Sequence, residues 1–232
     1  MNKWILIIGI IVCAGLGWWF WAGDSYDEVS SSVEPKEESD SLIKIIAFGD
    51  SLTAGYGLSR NEAYPAQLEA ALKGKGYSVS VINAGVSGET TRGNLERASF
   101  IAAQNPDIVL LGIGGNDALR TLPIAETKKN ILETVSVLEG SEFPPTIILL
   151  EMQAPLNAGV SYKQDFDAIY AEVATEKNLL LVPFITKDLF LNPENKLPDG
   201  VHYNQIGYSQ VVEKYILPAT EEALKKLVER GG

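Results

Sequence analysis

The sequence predicts an α/β domain in which a parallel sheet is covered by helices on both faces, preceded by one membrane-spanning segment. From Leu42 onward, short continuous apolar runs alternate with stretches of helical periodicity, as expected when parallel strands are buried on both faces. Repeated strand–helix units with right-handed crossovers then place helices on the two sides of one sheet. Residues 4–22 are apolar and uncharged, which is typical of a transmembrane helix.

The N-terminal segment, residues 1–23, is expected to anchor the chain in a membrane. A helix over residues 4–22 would be roughly 28 Å long, about the hydrocarbon thickness of a bilayer. One tryptophan lies at its start and three lie near its end, as in aromatic belts. Lys3 before it and acidic residues after it predict an extracytoplasmic domain, periplasmic or on the cell surface. A cleaved signal peptide, which would give a secreted protein, is the alternative, but the apolar run exceeds the usual ~7–15 residues.

Residues 24–41 are rich in serine and acidic residues and almost lack large apolar ones. This composition predicts a disordered acidic linker that holds the following domain, residues 42–232, away from the membrane.

Composition excludes several kinds of partner and site. The formal net charge is −11, and an acidic domain lacks the basic face that nucleic-acid binding needs. The chain has one histidine and one cysteine, which leaves no zinc ligand set and no disulfide within the chain. The composition does not exclude a carboxylate site for Mg²⁺ or Ca²⁺, although the spacing of a calcium-binding loop is absent from the sequence. We expect the domain to be monomeric.

The strands and helices of the domain follow from the apolar pattern. Five short apolar runs are the predicted strands: Ile43–Phe48, Val79–Asn83, Ile108–Gly112, Thr146–Met152 and Leu179–Pro183. The predicted helices between and after them are Glu62–Lys73, Thr91–Gln104, Ile124–Glu139, Tyr162–Lys177 and a last one from about Asn204 towards Arg230. Pro218 is expected to kink or break that last helix.

Ser51 lies where the first apolar run ends in Gly49-Asp50-Ser51. In open parallel sheets, ligands bind outside the carboxyl ends of the strands, so Ser51 is placed where a nucleophile would be needed. The structural alternative is an Asp-Ser turn that only caps the next helix.

His202 is the only histidine of the chain, and Asp199 precedes it by three residues on a glycine-containing loop. Serine is a weak nucleophile unless a base takes its proton, and imidazole is the usual base near neutral pH. A carboxylate that fixes the imidazole tautomer completes such a site. The pattern therefore favours a Ser51–His202–Asp199 triad.

Two further loops are expected to meet Ser51 at the same edge of the sheet. One carries Gly88 and the other carries Asn116. Ester hydrolysis passes through an oxyanion that needs preorganised donors, and a glycine N–H and an asparagine amide can both serve. Together with the N–H of Ser51, these two residues are the candidate oxyanion donors. When each loop is considered alone, the structural alternative is that Gly88 only permits a turn and that Asn116 only caps a helix.

Four blocks of sequence together resemble the GDSL, or SGNH, hydrolase family: Gly49-Asp50-Ser51-Leu52, Gly88, Gly114-Gly115-Asn116-Asp117 and Asp199-Gly200-Val201-His202. The likeness covers about residues 43–220 and is greatest to the thioesterase I / lysophospholipase L1 / arylesterase branch. It implies a three-layer α/β/α sandwich of flavodoxin-like form, without metal or cofactor. The family's functional residues then correspond to Ser51, Gly88, Asn116, Asp199 and His202. Tyr203 departs from the proline that often follows the histidine, which leaves the entry into the last helix open.

The expected activity is that of a serine esterase acting on a small-molecule acyl ester or lipid, such as a lysophospholipid, an aryl ester or an acyl thioester. Small residues after Ser51 predict an open cleft. The loop Ala154–Gly159 resembles a substrate loop of the thioesterase branch, so Pro155 and Leu156 are candidate substrate-binding residues. The alternative for this loop is an ordinary Pro/Gly connection.

Two other functions fit the same sequence. One is a carbohydrate O-acetylesterase on the same scaffold, and the other is a non-catalytic, membrane-tethered binding module. A phosphate-binding loop is disfavoured because the stretch from Gly49 to Gly55 lacks the Gly-Lys-Ser/Thr ending.

Overall fold

The computed structural model describes residues 42–231. The predicted anchor, residues 1–23, and the predicted linker, residues 24–41, lie outside this part of the chain. Between Leu42 and Gly231, no helix combines the length and the apolar character that crossing a bilayer requires.

One five-stranded parallel sheet forms the centre of the domain, in the order β2-β1-β3-β4-β5. Its strands are β1 Ile43–Gly49, β2 Val79–Gly85, β3 Ile108–Gly112, β4 Thr146–Glu151 and β5 Leu180–Pro183. The α/β prediction is confirmed, and each strand begins and ends within two residues of its predicted bounds. All five residues of β3 are buried, because this strand lies at the middle of the sheet.

Nine helices surround the sheet within the described residues: α1 Ser51–Ala54, α2 Tyr64–Gly74, α3 Thr91–Ala102, α4 Gly115–Leu119, α5 Ile124–Glu139, α6 Val160–Lys177, α7 Lys187–Phe190, α8 Gln205–Val211 and α9 Leu217–Gly231. Short 3₁₀ turns lie at Leu156–Ala158 and Pro193–Asn195. The chain turns from β1 outward to β2 and then crosses back to β3, so right-handed crossovers put α2 on one face and α3, α5 and α6 on the other. The result is a three-layer α/β/α sandwich.

Pro218, which was expected to kink or break the last helix, does not end it. Between α8 and α9 the chain makes a π-helical turn, Val212–Ile216, in which the Leu217 N–H bonds to the Val212 carbonyl. Proline has no N–H and its ring clashes with the carbonyl four residues earlier. The wider π turn just before Pro218 accommodates this defect while the backbone stays helical.

The register of the sheet sets the position of the functional loops. Gly49 at the end of β1 pairs with Gly85 of β2 on one side and with Gly112 of β3 on the other. Three strands therefore end at one level, and their loops leave the sheet side by side.

Candidate active site

Ser51 is the first residue of α1, directly beyond the end of β1. The Asp50 carboxylate accepts a hydrogen bond from the Leu52 N–H at 3.0 Å and caps this short helix. Gly49 permits the sharp turn, because a Cβ there would lie 2.2 Å from the Thr53 hydroxyl oxygen. The capping alternative and the nucleophile prediction are thus compatible, since Asp50 supplies the cap and leaves the Ser51 hydroxyl free.

The structure brings together Ser51, His202 and Asp199 although 151 positions separate the first two. Ser51 Oγ lies 2.8 Å from His202 Nε2, and His202 Nδ1 lies 2.8 Å from Asp199 Oδ2. The contacts form a continuous chain from hydroxyl to imidazole to carboxylate, which is the arrangement that activates a serine.

Backbone donors orient the Asp199 carboxylate. Its Oδ1 accepts hydrogen bonds from the Val201 N–H at 2.8 Å and the His202 N–H at 3.0 Å. Partial burial raises the pKa of Asp199, but these N–H donors and the His202 ring outweigh it and hold that pKa below its usual value. Asp199 therefore stays ionised near neutral pH, ready to stabilise a charged imidazole.

Tyr203 fixes the loop that carries His202 to the body of the domain. Its ring is buried, and its hydroxyl donates to the Phe184 carbonyl at 3.1 Å. Asn204 then caps α8 by accepting from the Gly207 N–H at 3.0 Å. The departure from proline at position 203 is thus compatible with a regular start of the helix.

Tyr56 is a residue of the site that sequence reasoning missed. Its half-exposed ring lies against the imidazole of His202, with 4.7 Å between the ring centroids. Only the tertiary structure shows this contact, because a tyrosine in the loop after α1 carries no pattern of its own.

The predicted oxyanion donors Gly88 and Asn116 follow β2 and β3, the strands that flank β1 in the sheet. Gly88 has a φ of 83° in a turn closed by the Glu89 N–H and the Val86 carbonyl, and the Val86 N–H bonds to the Gly49 carbonyl. Asn116 lies in α4, next to Gly115, whose Cα faces the Asp50 carboxylate. Within residues 42–231, neither the Gly88 N–H nor the Asn116 amide donates to another protein group.

A buried carboxylate joins the two loops. Asp117 accepts from the Thr91 N–H at 2.8 Å and from the Thr91 hydroxyl at 2.6 Å. Thr91 begins α3, just after the Gly88 turn, whereas Asp117 follows Asn116 in the chain. The pair therefore links the elements that carry the two candidate donors.

Asp50 is a second buried carboxylate, adjacent to Ser51. Burial raises the pKa of Asp50 to about 6, against the opposing effects of the Leu52 N–H and of His202. Asp50 therefore takes up its negative charge at a higher pH than an exposed aspartate would.

A mostly apolar cavity of about 460 Å³ adjoins the triad. Leu52, Gly115 and Val201 line it, and each neighbours a predicted site residue in the chain. Pro155 and Leu156 also line it, and Phe190 of α7 closes another side. Sequence reasoning missed α7, because four residues are too few to show helical periodicity.

Comparison with known proteins identifies the family. The profile of the GDSL-like lipase/acylhydrolase family matches residues 47–210, a span that contains the Ser51, His202 and Asp199 constellation. The chain belongs to the GDSL family. Membership of this family makes it a carboxylic ester hydrolase, which removes the alternative of a non-catalytic binding module.

Individual relatives of this GDSL hydrolase are esterases and a thioesterase. It is 33% identical over 160 residues to an arylesterase of Vibrio mimicus, which covers 68% of this chain and 79% of the arylesterase. It is 33% identical over 162 residues to thioesterase 1/protease 1/lysophospholipase L1 of Escherichia coli strain K12, which covers 69% and 76%. The crystal structure of AlinE4, an SGNH-hydrolase family esterase, superposes with a TM-score of 0.64 at 39% identity and covers 80% of this chain and 96% of AlinE4.

Proposed function

We propose that this GDSL hydrolase is a serine esterase that cleaves acyl esters through the Ser51–His202–Asp199 triad and an acyl-enzyme. The observation that carries the proposal is the pair of 2.8 Å contacts from Ser51 Oγ to His202 and from His202 to Asp199. No other imidazole is available in this chain to serve as the base.

In the acylation step, Ser51 Oγ attacks the carbonyl carbon while His202 Nε2 takes the hydroxyl proton. Asp199 stabilises the resulting imidazolium through Nδ1. As the tetrahedral intermediate collapses, the bond from the carbonyl carbon to the leaving oxygen or sulfur breaks. The proton on Nε2 moves to that leaving atom, and the acyl group stays on Ser51.

Deacylation repeats the same steps with water as the nucleophile. His202 takes a proton from the water as it attacks the acyl carbonyl, and then returns the proton to Ser51 Oγ. In both halves of the reaction, the Ser51 N–H, the Gly88 N–H and the Asn116 amide stabilise the oxyanion.

The character of the cavity beside the triad favours a substrate with an acyl chain. Its apolar lining, which includes Pro155 and Leu156, would remove an alkyl chain from water. The names of the relatives, an arylesterase and a thioesterase 1/lysophospholipase L1, support aryl esters, acyl thioesters and lysophospholipids as substrate classes.

We also propose that residues 4–22 anchor the enzyme in a membrane, with the catalytic domain on the extracytoplasmic side. The support is the uncharged apolar run and the lysine that precedes it. An anchored enzyme would meet lipid-derived esters at high local concentration.

The Ser51→Ala variant tests the nucleophile. We expect turnover of a p-nitrophenyl ester to be lost, with the thermal unfolding midpoint unchanged because only one oxygen is removed. Ser136→Ala, whose hydroxyl bonds to the Leu132 carbonyl on the exposed side of α5, is the matched control and should keep full activity. Wild-type turnover by Ser51→Ala would overturn the proposal.

A further inference from the structure

An ion pair that the mechanism does not use includes Glu89, the residue that follows Gly88. The Arg97 guanidinium in α3 donates from Nε to Glu89 Oε1 at 2.8 Å. The two side chains are only 27% and 11% exposed, so they are held in place far more firmly than a surface ion pair. Asn94, which is fully buried, donates to the same Glu89 carboxylate at 2.5 Å.

Arg97 also connects this carboxylate to the ends of two strands. Its Nη2 donates to the Ala84 carbonyl at 3.1 Å and approaches the Gly49 carbonyl at 3.5 Å. The guanidinium lies over the Phe48 ring, 4.8 Å from its centroid. One side chain therefore joins the ends of β1 and β2, the helix α3 and the residue after Gly88.

We propose that Glu89 and Arg97 are positioning residues that hold the Gly88 N–H in place for the oxyanion. The inference rests on the proposed function, in which Gly88 is an oxyanion donor. A glycine with positive φ in a four-residue turn has little intrinsic preference for one orientation. Its direction must be set by its neighbours, and Glu89 is the neighbour whose side chain is fixed.

Gly93 offers an independent way to move Glu89. A Cβ at position 93 would lie 2.7 Å from Glu89 Cγ and 3.4 Å from Oε1, so alanine there must displace the Glu89 side chain. This change removes neither charge of the ion pair. It also favours the helix by about 1 kcal/mol, since alanine is the better helix former.

Kinetics of the full chain on a p-nitrophenyl ester test the proposal, with active sites counted by end-point fluorophosphonate labelling. We expect Glu89→Gln, Arg97→Met and Gly93→Ala to lower kcat per active site by about ten- to a hundredfold, because small displacements of an oxyanion donor have costs of this order. KM should stay within about threefold in each variant. The double variant Glu89→Gln/Arg97→Met should lose no more than the worse single variant, since both act through one contact.

Gly93→Ala separates positioning from stability. Its unfolding midpoint should stay close to that of the wild type, because the helix preference of alanine offsets the cost of moving Glu89. A fall in kcat without a fall in the midpoint is an outcome that a purely structural role would not produce. Gly74→Ala is the matched control, because Gly74 also lies in a helix and a Cβ there meets nothing within 4 Å. It should keep wild-type kcat.

Wild-type kcat per active site in all three variants would overturn the positioning role. The positioning role would also be overturned if kcat fell in Arg97→Met alone and the unfolding midpoint of that variant fell with it, because the loss would then reflect stability. The Ser51→Ala variant tests the proposed function separately from the positioning role. An inactive Ser51→Ala beside fully active Glu89 and Gly93 variants removes only the positioning role.

Discussion

Single residues at the end of β1 combine structural and chemical tasks. Asp50 caps α1 and so fixes the backbone that presents Ser51. As a fully buried carboxylate it also has a raised pKa of about 6, which makes the stability of the domain depend on pH. The cost of ionising such a group is tolerated because the cap and the turn need a short acidic or amide side chain at this position.

We expect Asp50→Asn to remove one pH-dependent contribution to stability. Because the pKa of Asp50 is raised from 3.8 to about 6 on folding, protonated Asp50 favours the folded state below pH 4, and this advantage is lost as the pH rises to about 6. At neutral pH the charge costs on the order of 2–3 kcal/mol. Asparagine keeps the cap without the charge, so the variant should gain stability relative to wild type between pH 4 and pH 7.

Unfolding midpoints measured at several pH values check this prediction. Asp165→Asn, which removes an exposed carboxylate of α6, is the control and should follow the wild-type curve. A constant difference between Asp50→Asn and wild type across the range would show that Asp50 does not titrate as described.

Asn116→Ala tests the side-chain donor of the oxyanion site. Removal of one such donor lowers kcat by about a hundred- to a thousandfold in enzymes of this chemistry, and we expect a loss in that range with little change in KM. The exposed Asn61 provides a control variant, Asn61→Ala, with wild-type kinetics. A kcat for Asn116→Ala within a few-fold of wild type would exclude Asn116 from this role.

Short elements lie beside the triad at the carboxyl edge of the sheet. The 3₁₀ turn Leu156–Ala158 and α7 line the same cavity. The Ala154 N–H donates to Asp167 at 2.9 Å, and Lys163 donates to the Ala154 carbonyl at 2.8 Å. The start of the Ala154–Gly159 loop is therefore held against α6, while Leu156 is 74% exposed.

Leu156→Ser should impair long acyl substrates selectively. A serine there removes about 1–2 kcal/mol of apolar contact with a bound chain, so kcat/KM for octanoyl or decanoyl esters should fall about five- to thirtyfold and that for acetyl esters should not. Val160→Ser is the matched control, since Val160 is even more exposed but does not line the cavity. An equal loss on all chain lengths would contradict the role, and preference of the wild type for acetylated sugars would favour the O-acetylesterase alternative.

The direction of the strands bears on how the domain could be oriented relative to a membrane in the proposed anchored enzyme. The chain enters β1 at Ile43, at the amino end of the strand, whereas the triad lies beyond the carboxyl end. In the proposed anchored enzyme, the residues before Leu42 would therefore join the domain at the sheet edge opposite the triad. Residues 24–41, if extended, could reach about 60 Å, which is long enough to let the domain turn its cavity towards the bilayer.

We expect the full chain to be recovered in the membrane fraction and to resist extraction by alkaline carbonate. Deletion of residues 1–23 should release the enzyme without changing turnover of a water-soluble p-nitrophenyl ester, because the triad lies wholly in the domain. Turnover of lysophospholipid within vesicles should fall in the deletion variant. Recovery of the full chain in the soluble fraction would overturn the proposed anchor.

The sequence alone determined the features that depend on neighbouring residues. The apolar runs gave the five strands, because burial on both faces requires continuous apolar side chains. The position of Ser51 followed as well, since parallel strands present their carboxyl ends at one edge. Asp199 and His202 are three residues apart, so their pairing could be expected from their spacing. The bounds of the short helices α1, α4 and α7 could not, because they span about one turn.

Only the tertiary structure decided what depends on distant parts of the chain. The 2.8 Å contact between His202 and Ser51 arises from the crossovers that bring the last loop back to β1. The contact of Tyr56 with His202 and the link from Arg97 through Glu89 to the Gly88 turn were likewise invisible in the sequence. Periodicity reports which side of an element is buried, whereas the partner of a buried side chain is set by how the elements pack.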